Sequence, residues 1–298
     1  MSFRLEMLQV ARLAPDMLGD AVALVEDFLR SRMTKEGAFG DREGRADLYY
    51  TVFGMEGLLA LQKDLDWAAL AEWLRGFGDG TGLDFVHLCC LARCWNAVPR
   101  AMGIGVLAEA ERAGILDRLA SWQSGDGGFN QRAGAPRCSA YGSLLGWAAH
   151  YDLKSELLEP ERLTDCLAAL RTLDGGYANE PGLPLGSTPA TSAAVALHRH
   201  LRRTPDAAAG QWLLAQIHPE GGFKAMPGAP MPDLLSTAVA LHALDGMQVS
   251  FAGHKEALLD YVDTLWSAEG GFHGHWADDA LDVEYTYYGL LALGHLAL

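Results

Sequence analysis

The sequence predicts an all-α protein, an (α/α)6 barrel of six helix-pair repeats, and three observations point there. A Gly-Gly-aromatic turn recurs along the chain; amphipathic segments alternate with segments that are apolar nearly all round; and the last apolar segment, ending ALGHLAL, needs neighbours on every side. Self-similarity at a period of 20–50 residues is the signature of repeat architectures.

The turn is read at Gly127-Gly128-Phe129, Gly175-Gly176-Tyr177, Gly221-Gly222-Phe223 and Gly270-Gly271-Phe272, with spacings of 48, 46 and 49 between the aromatics. Two degenerate copies, Gly37-Ala38-Phe39 and Gly76-Phe77-Gly78, precede them. Glycine accepts positive φ at a helix C-terminus, so each triplet punctuates a helix and turns the chain sharply while the aromatic packs back.

Before the turns lie Ala21–Met33, Asp66–Arg75, Gly114–Gln123, Glu161–Thr172, Asp206–Ile217 and His254–Ser267, a set that charges interrupt on one face. After them come Asp47–Gln62, Asp84–Val98, Cys138–Tyr151, Thr188–Leu201, Asp233–Gly246 and Asp282–Leu296, which are more apolar. A helix wet on one side and one buried all round read as an outer and an inner ring. Asp47, Asp84, Asp233 and Asp282 open four of the inner segments, as acids that cap free backbone N–H groups and complement the helix dipole would, and three of them are followed four positions later by Thr51, Thr237 and Thr286. Six pairs is the number that closes an α/α barrel, which favours a toroid over an open solenoid and one domain over residues 1–298.

Composition excludes some function classes. A formal charge of −15 repels phosphate polymers and anionic lipid, so nucleic acid is not an expected partner. No apolar run reaches the ~18–20 residues of a membrane span, and the opening MSFRLEMLQVARLAPD carries charges unlike a signal peptide, so a soluble, cytoplasmic protein is expected. Five cysteines without framework spacing suit buried thiols in a reducing compartment.

The Gly-Gly-aromatic turn followed by Asp-x-x-x-Thr at the head of an apolar helix resembles the repeat of protein prenyltransferase β subunits and of squalene and terpene cyclases, over most of the chain from about Gly37 onward. The resemblance implies an isoprenoid or other apolar small molecule as ligand, and for the β subunits a helical-repeat partner subunit. The prenyltransferase zinc site, an Asp-x-Cys and a His, corresponds here to Asp233, Leu235 and Tyr285; Leu supplies no donor, so no metal is expected there and no cofactor is implied. The family's diphosphate pattern Arg-Ser-Ala-Tyr is similar to Arg137-Cys138-Ser139-Ala140-Tyr141, which makes Tyr141, Arg137, Arg132 and Lys224 the candidates for substrate binding. Against the cyclase motif Asp-x-Asp-Asp-Thr, the sixth repeat reads Asp282-Val283-Glu284-Tyr285-Thr286. Glu284 then stands at the acid position, with Asp282 and Tyr285 as its catalytic neighbours.

Aromatics such as Tyr49 and Tyr288 on inner segments would line an apolar funnel suited to an isoprenoid chain and to a carbocation. His87, three residues into the second inner segment, is a further binding candidate, although one straight helix spreads Asp84, His87, Cys90 and Cys94 too far for a single metal ion. The loop GFHGHWADDALD, with His273, His275, Asp278 and Asp279, is metal-capable in composition and is read first as a solvated loop. Three functions follow: an isoprenoid-binding, prenyltransferase-like barrel without the zinc site, a class II cyclase using Glu284 as acid, or a noncatalytic lipid- or protein-binding barrel.

Overall fold

A computed structural model describes residues 2–99, 107–155 and 159–298. The inner ring consists of α4 (Leu48–Ala60), α6 (Phe85–Ala97), α8 (Ala140–Asp152), α10 (Thr188–His200), α12 (Leu234–Gly246) and α14 (Val283–Ala297). The outer ring is α3 (Val22–Ser31), α5 (Trp67–Arg75), α7 (Glu109–Ala120), α9 (Pro160–Ala168), α11 (Ala207–Leu214) and α13 (Lys255–Thr264). Each inner helix packs on the next, and α14 packs back on α4, so the ring closes.

A single hydrogen-bonded unit recurs in five of the repeats. The aromatic of the turn donates its N–H to a hydroxyl one turn into the following inner helix: Phe39 to Thr51 at 2.9 Å, Phe129 to Ser143 at 3.1 Å, Tyr177 to Thr191 at 2.9 Å, Phe223 to Thr237 at 2.9 Å and Phe272 to Thr286 at 3.4 Å. Thr51, Thr237 and Thr286 in turn donate to the carbonyl of their capping aspartate at 2.6–2.7 Å. The Thr of Asp-x-x-x-Thr therefore ties turn to helix. Three residues further on a small side chain receives the ring; a Cβ on Gly54 would stand 2.2 Å from Phe39, and one on Gly146 2.4 Å from Phe129.

The two turn glycines do different things. The first takes the left-handed conformation, with φ of 100°, 96°, 88° and 92° at Gly127, Gly175, Gly221 and Gly270. The second makes room for the next outer helix, since a Cβ on Gly176, Gly222 or Gly271 would meet the ring of Trp212, Tyr261 or Phe28 at 2.6, 2.6 and 2.9 Å. In the second repeat, whose turn is a degenerate copy, Leu88 stands at the Thr position and offers no hydroxyl for the tie. Around the fifth turn the pairing extends to a short ladder, β1 (Phe223–Lys224) antiparallel to β2 (Pro232–Asp233), with Phe223 opposite Asp233. The predicted aspartate caps are in place: Asp47, Asp84, Asp233 and Asp282 each accept the N–H three residues on, while Ser139 and Ser187 cap α8 and α10.

Sequence reading assigned no element to the N-terminal segment, and the structure adds two there. Helices α1 (Phe3–Ala11) and α2 (Ala14–Leu18) lie against α14, and α1 also against α4. Helix α1 sits where the inner helices end: Val10 packs on Gly294, Glu6 pairs with Arg199 at 2.7 Å, and Arg4 pairs with the fully buried Glu56. The barrel is plugged at that end, and the inner-helix starts surround the other. No helix among the described residues is long and apolar enough to cross a membrane.

Replacing Thr237 by Val keeps its shape but strands the buried Phe223 N–H. Urea unfolding is expected to find a loss of about 1–3 kcal/mol. Thr237→Ser, which retains the hydroxyl that the third repeat uses at Ser143, is expected to lose less.

Candidate functional site

The tie between turn and helix sets which side chains face the barrel axis. Thr at the fourth position after the cap and the small residue at the seventh face outward, so the second, sixth and ninth positions face inward. Counted this way, the axis carries three layers. The first, nearest the inner-helix starts, is Tyr49, Val86, Tyr141, Pro189, Leu235 and Glu284; the second is Phe53, Cys90, Leu145, Ala193, Val239 and Tyr288; the third is Glu56, Arg93, Ala148, Ala196, His242 and Leu291. Most of the first layer, and Phe53, Leu145 and Val239 in the second, keep partial exposure although the outer ring covers the backs of their helices. The third layer meets the plug, with Glu56 between Arg4 and Arg93.

The first two layers are apolar or aromatic except at Glu284. Its side chain is 9% exposed, and Tyr49 donates its hydroxyl to Glu284 Oε1 at 2.6 Å. Burial raises the carboxyl to about 7; the Tyr49 hydrogen bond opposes, nearby Asp282 adds to the rise, and Arg42 opposes it. At neutral pH Glu284 is therefore divided between acid and carboxylate. Burial also pushes the Tyr49, Tyr141 and Tyr288 hydroxyls up, so all three stay protonated. Phe53 stacks edge-on to Tyr49 with centroids 4.9 Å apart and lies 5.4 Å from Tyr288.

At the rim, Asp282 caps α14 through the Tyr285 N–H at 2.9 Å and accepts from Arg42 Nε at 2.9 Å, while Arg42 also reaches Asp278 at 3.1 Å and lies over the Tyr285 ring. His87 links the caps of two adjacent inner helices, with Nδ1 2.9 Å from Asp84 and Nε2 3.0 Å from Asp47. Burial pulls the His87 pKa down, but these two carboxylates outweigh it and leave it raised. A cavity of about 380 Å³ opens beside them, lined by Arg42, Asp47, Tyr49, Tyr50 and His87 among others.

Of the sequence candidates, Glu284, Tyr49, Tyr141 and Tyr288 come together on the axis, and Asp282, Tyr285 and His87 stand at the rim. The cations do not join them. Arg132 and Arg137 are exposed on the loop before α8, where Arg132 pairs with Glu180 at 3.1 Å, and Lys224 lies half-buried in β1. At the zinc-equivalent positions Asp233 is engaged by the Ser236 N–H and hydroxyl at 2.7 and 2.8 Å, Leu235 has no donor atom, and Tyr285 offers a protonated phenol pushed up to about 12. These residues do not fit zinc, which wants about four thiolate, imidazole or carboxylate donors. The sequence names Phe53 among the inner-segment aromatics and Cys90 beside His87, and the cap-to-axis count puts both on the axis. Arg42 was missed, since it sits in a loop and carries no signal.

The prenyltransferase alpha-alpha toroid domain matches the sequence over residues 5–90, 75–202 and 190–297. A search of curated proteins by sequence returns no match. Among solved structures, the chain is similar to Candida albicans protein geranylgeranyltransferase-I complexed with GGPP, at 14% identity over 92% of this chain and 90% of that one, TM-score 0.65. It is also similar to the type II terpene cyclase MstE from Scytonema, at 15% identity over 95% and 97%, TM-score 0.61, and a variant of that cyclase is solved with its substrate geranylgeranyl dihydroxybenzoate. A glycosidase has the same fold at 14% identity over 97% and 98%, TM-score 0.58. Likeness at this identity concerns the fold, which different chemistries share. With the family domain matched over nearly its whole length, the chain belongs to the prenyltransferase alpha-alpha toroid family.

Proposed function

We propose that the barrel admits an isoprenoid along its axis and that Glu284 protonates it, so that the reaction is an acid-initiated cyclisation of the type II kind. The observation that carries this reading is the Glu284–Tyr49 pair: one carboxyl in an apolar and aromatic double layer, held near neutrality by burial. Fold likeness to proteins whose ligands are GGPP and geranylgeranyl dihydroxybenzoate supports an isoprenoid as substrate class.

In this reading the proton passes from Glu284 either to an alkene carbon, whose π electrons form the new C–H bond, or to an epoxide oxygen, whose lone pair accepts it while the C–O bond breaks towards that oxygen. The carboxylate left behind keeps the Tyr49 hydrogen bond. The cationic carbon lies among Tyr49, Phe53, Tyr141 and Tyr288, whose faces stabilise it by up to about 2 kcal/mol each in a dry site. Closure of the chain moves the charge, and loss of a proton from a neighbouring carbon to water ends the reaction.

A diphosphate group is less well served. The rim carries Asp47, Asp84, Asp278 and Asp282, its Arg42 is already engaged by two of them, and a dianion or trianion needs unspent cations to leave water. The substrate favoured is therefore an uncharged isoprenoid, such as an alcohol, an epoxide or an aryl conjugate.

Calorimetry with geranylgeraniol and its terminal epoxide is expected to find saturable binding with a negative heat-capacity change; no binding of either ends the isoprenoid reading. Glu284→Gln is expected to bind as well as the parent and to lose at least about 100-fold in product formation. Activity of the parent should fall as pH rises through about 7, where Glu284 gives up its proton. In Tyr49→Phe that limb should move to higher pH, because the lost hydrogen bond favoured the carboxylate; an unmoved limb removes Tyr49 from the role.

The same shift has a signed effect on stability. Glu284 is protonated in both states below its ordinary pKa of 4.5, and the folded state holds the proton up to about 7, so its contribution is lost as pH rises between those values. Urea unfolding at pH 8 should therefore find Glu284→Gln more stable than the parent by about 1–3 kcal/mol, with the advantage shrinking towards pH 4.5.

A further inference from the structure

At the joint between the third and fourth repeats, two thiols and a carboxylate stand together where other repeats carry a ring. Asp126 lies in the turn after α7, Cys138 immediately precedes the cap of α8, and Cys166 is on α9. One carboxylate oxygen and the two Sγ atoms all lie within 4.8 Å of one another. Both cysteines are free and buried, at 0% and 3% exposure, whereas Asp126 is half-buried and opens the cluster to solvent.

The sister repeats make the cluster unusual. Over the second turn glycine, repeats four to six place the rings of Trp212, Tyr261 and Phe28. Over Gly128 the same space holds Cys166 Sγ at 2.6 Å and Cys138 Cβ at 2.5 Å from an added Cβ. A ring covers far more area than two thiols, so packing gives no reason for the exchange. Donor chemistry does.

The geometry points to a zinc site formed by Asp126, Cys138 and Cys166, with water in the fourth position on the Asp126 side. Zinc takes sulfur at about 2.3 Å and carboxylate oxygen at about 2.0–2.2 Å, which sets tetrahedral donors about 3–4 Å apart. The carboxylate is already oriented: Ser124 Oγ donates to Oδ1 at 2.6 Å and the Cys138 N–H to Oδ2 at 3.2 Å. Helix α9 is also latched to this turn, since Arg162 donates to the Gly125 carbonyl at 2.8 Å. In the metal-free chain the Cys166 thiol donates to the Leu163 carbonyl at 3.1 Å; that proton and the one on Cys138 leave when the ion binds. The ion clamps the outer helix of one repeat to the turn of the previous one. It lies behind α8, away from the axis, and is independent of the Glu284 chemistry.

The test titrates the full chain, reduced and stripped by a chelator, with cobalt(II) and then zinc. One equivalent of cobalt with thiolate-to-cobalt charge-transfer absorption, displaced by zinc, with proton release and a raised Tm, is the expected result. Cys138→Ser and Cys166→Ser should each weaken binding at least about tenfold and halve the charge-transfer band. Asp126→Asn should weaken binding and keep the band, whereas Cys89→Ala should change neither. Where a serine variant does not fold, Asp126→Asn decides. Absence of a saturable one-equivalent band overturns the site, as does unchanged affinity in Asp126→Asn. A Cys138–Cys166 disulfide formed in air by a chain that binds no cobalt when reduced also overturns it.

Discussion

The hydrogen bond from the turn aromatic to the hydroxyl of the next inner helix is the constraint on which the barrel depends. It satisfies a buried N–H that the turn would otherwise strand, and it fixes the rotation of the helix about its own axis. Because Thr51, Thr191, Thr237 and Thr286 must face outward to make it, the second and sixth positions after each cap must face the axis. A substitution of the Thr would act on the lumen as well as on the turn.

That rotation accounts for the chemistry of the site. The cap aspartates Asp47, Asp84 and Asp282 look catalytic in sequence, but their oxygens are held at the rim by backbone N–H groups and by Arg42 and His87. Glu284 is two residues past its cap, so the same rule turns it inward, away from Arg42 and into a layer of aromatics. Two carboxyls two residues apart thus stand in different surroundings: Asp282 is engaged as a helix cap by the Tyr285 N–H and by Arg42, whereas burial raises Glu284 to about 7.

Much of this was legible in the sequence because a repeat states its rules several times. The period, the two rings, the caps and the acid candidate Glu284 could all be read from Gly-Gly-aromatic and Asp-x-x-x-Thr. The role of the Thr could not, since its partner is a backbone group 14 residues earlier in four of the five turns. The plug was missed although Ser2, Met7, Leu8 and Ala11 form a capped helix with a buried face, because a single helix outside the period has no copy to reveal it. Charge and motif position single out Arg132, Arg137 and Lys224, but Arg132 and Arg137 lie exposed on the loop before α8 and Lys224 in β1, placements that sequence does not encode locally.

Plug and acid also divide the labour between the two ends of the barrel. Near the inner-helix ends, Arg4, Arg93 and Glu56 bury charge, and charge in a low-dielectric interior is tolerated only when it is paired and held in place. Pairing of that kind fixes α1 against α4 and stops the axis from running through to solvent. With that end shut, the ligand of the proposed function would enter and leave by the rim of inner-helix starts, where the carboxylates stand. The depth at which Glu284 sits, one layer below that rim, is then the depth a chain inserted by its apolar end must pass. A substrate with a charged head would keep that head among the rim acids, which repel an anion, whereas an uncharged head could remain there or follow the chain inward. Under the proposed function, the closed end and the acidic rim together would therefore favour an uncharged isoprenoid whose reactive terminus enters first.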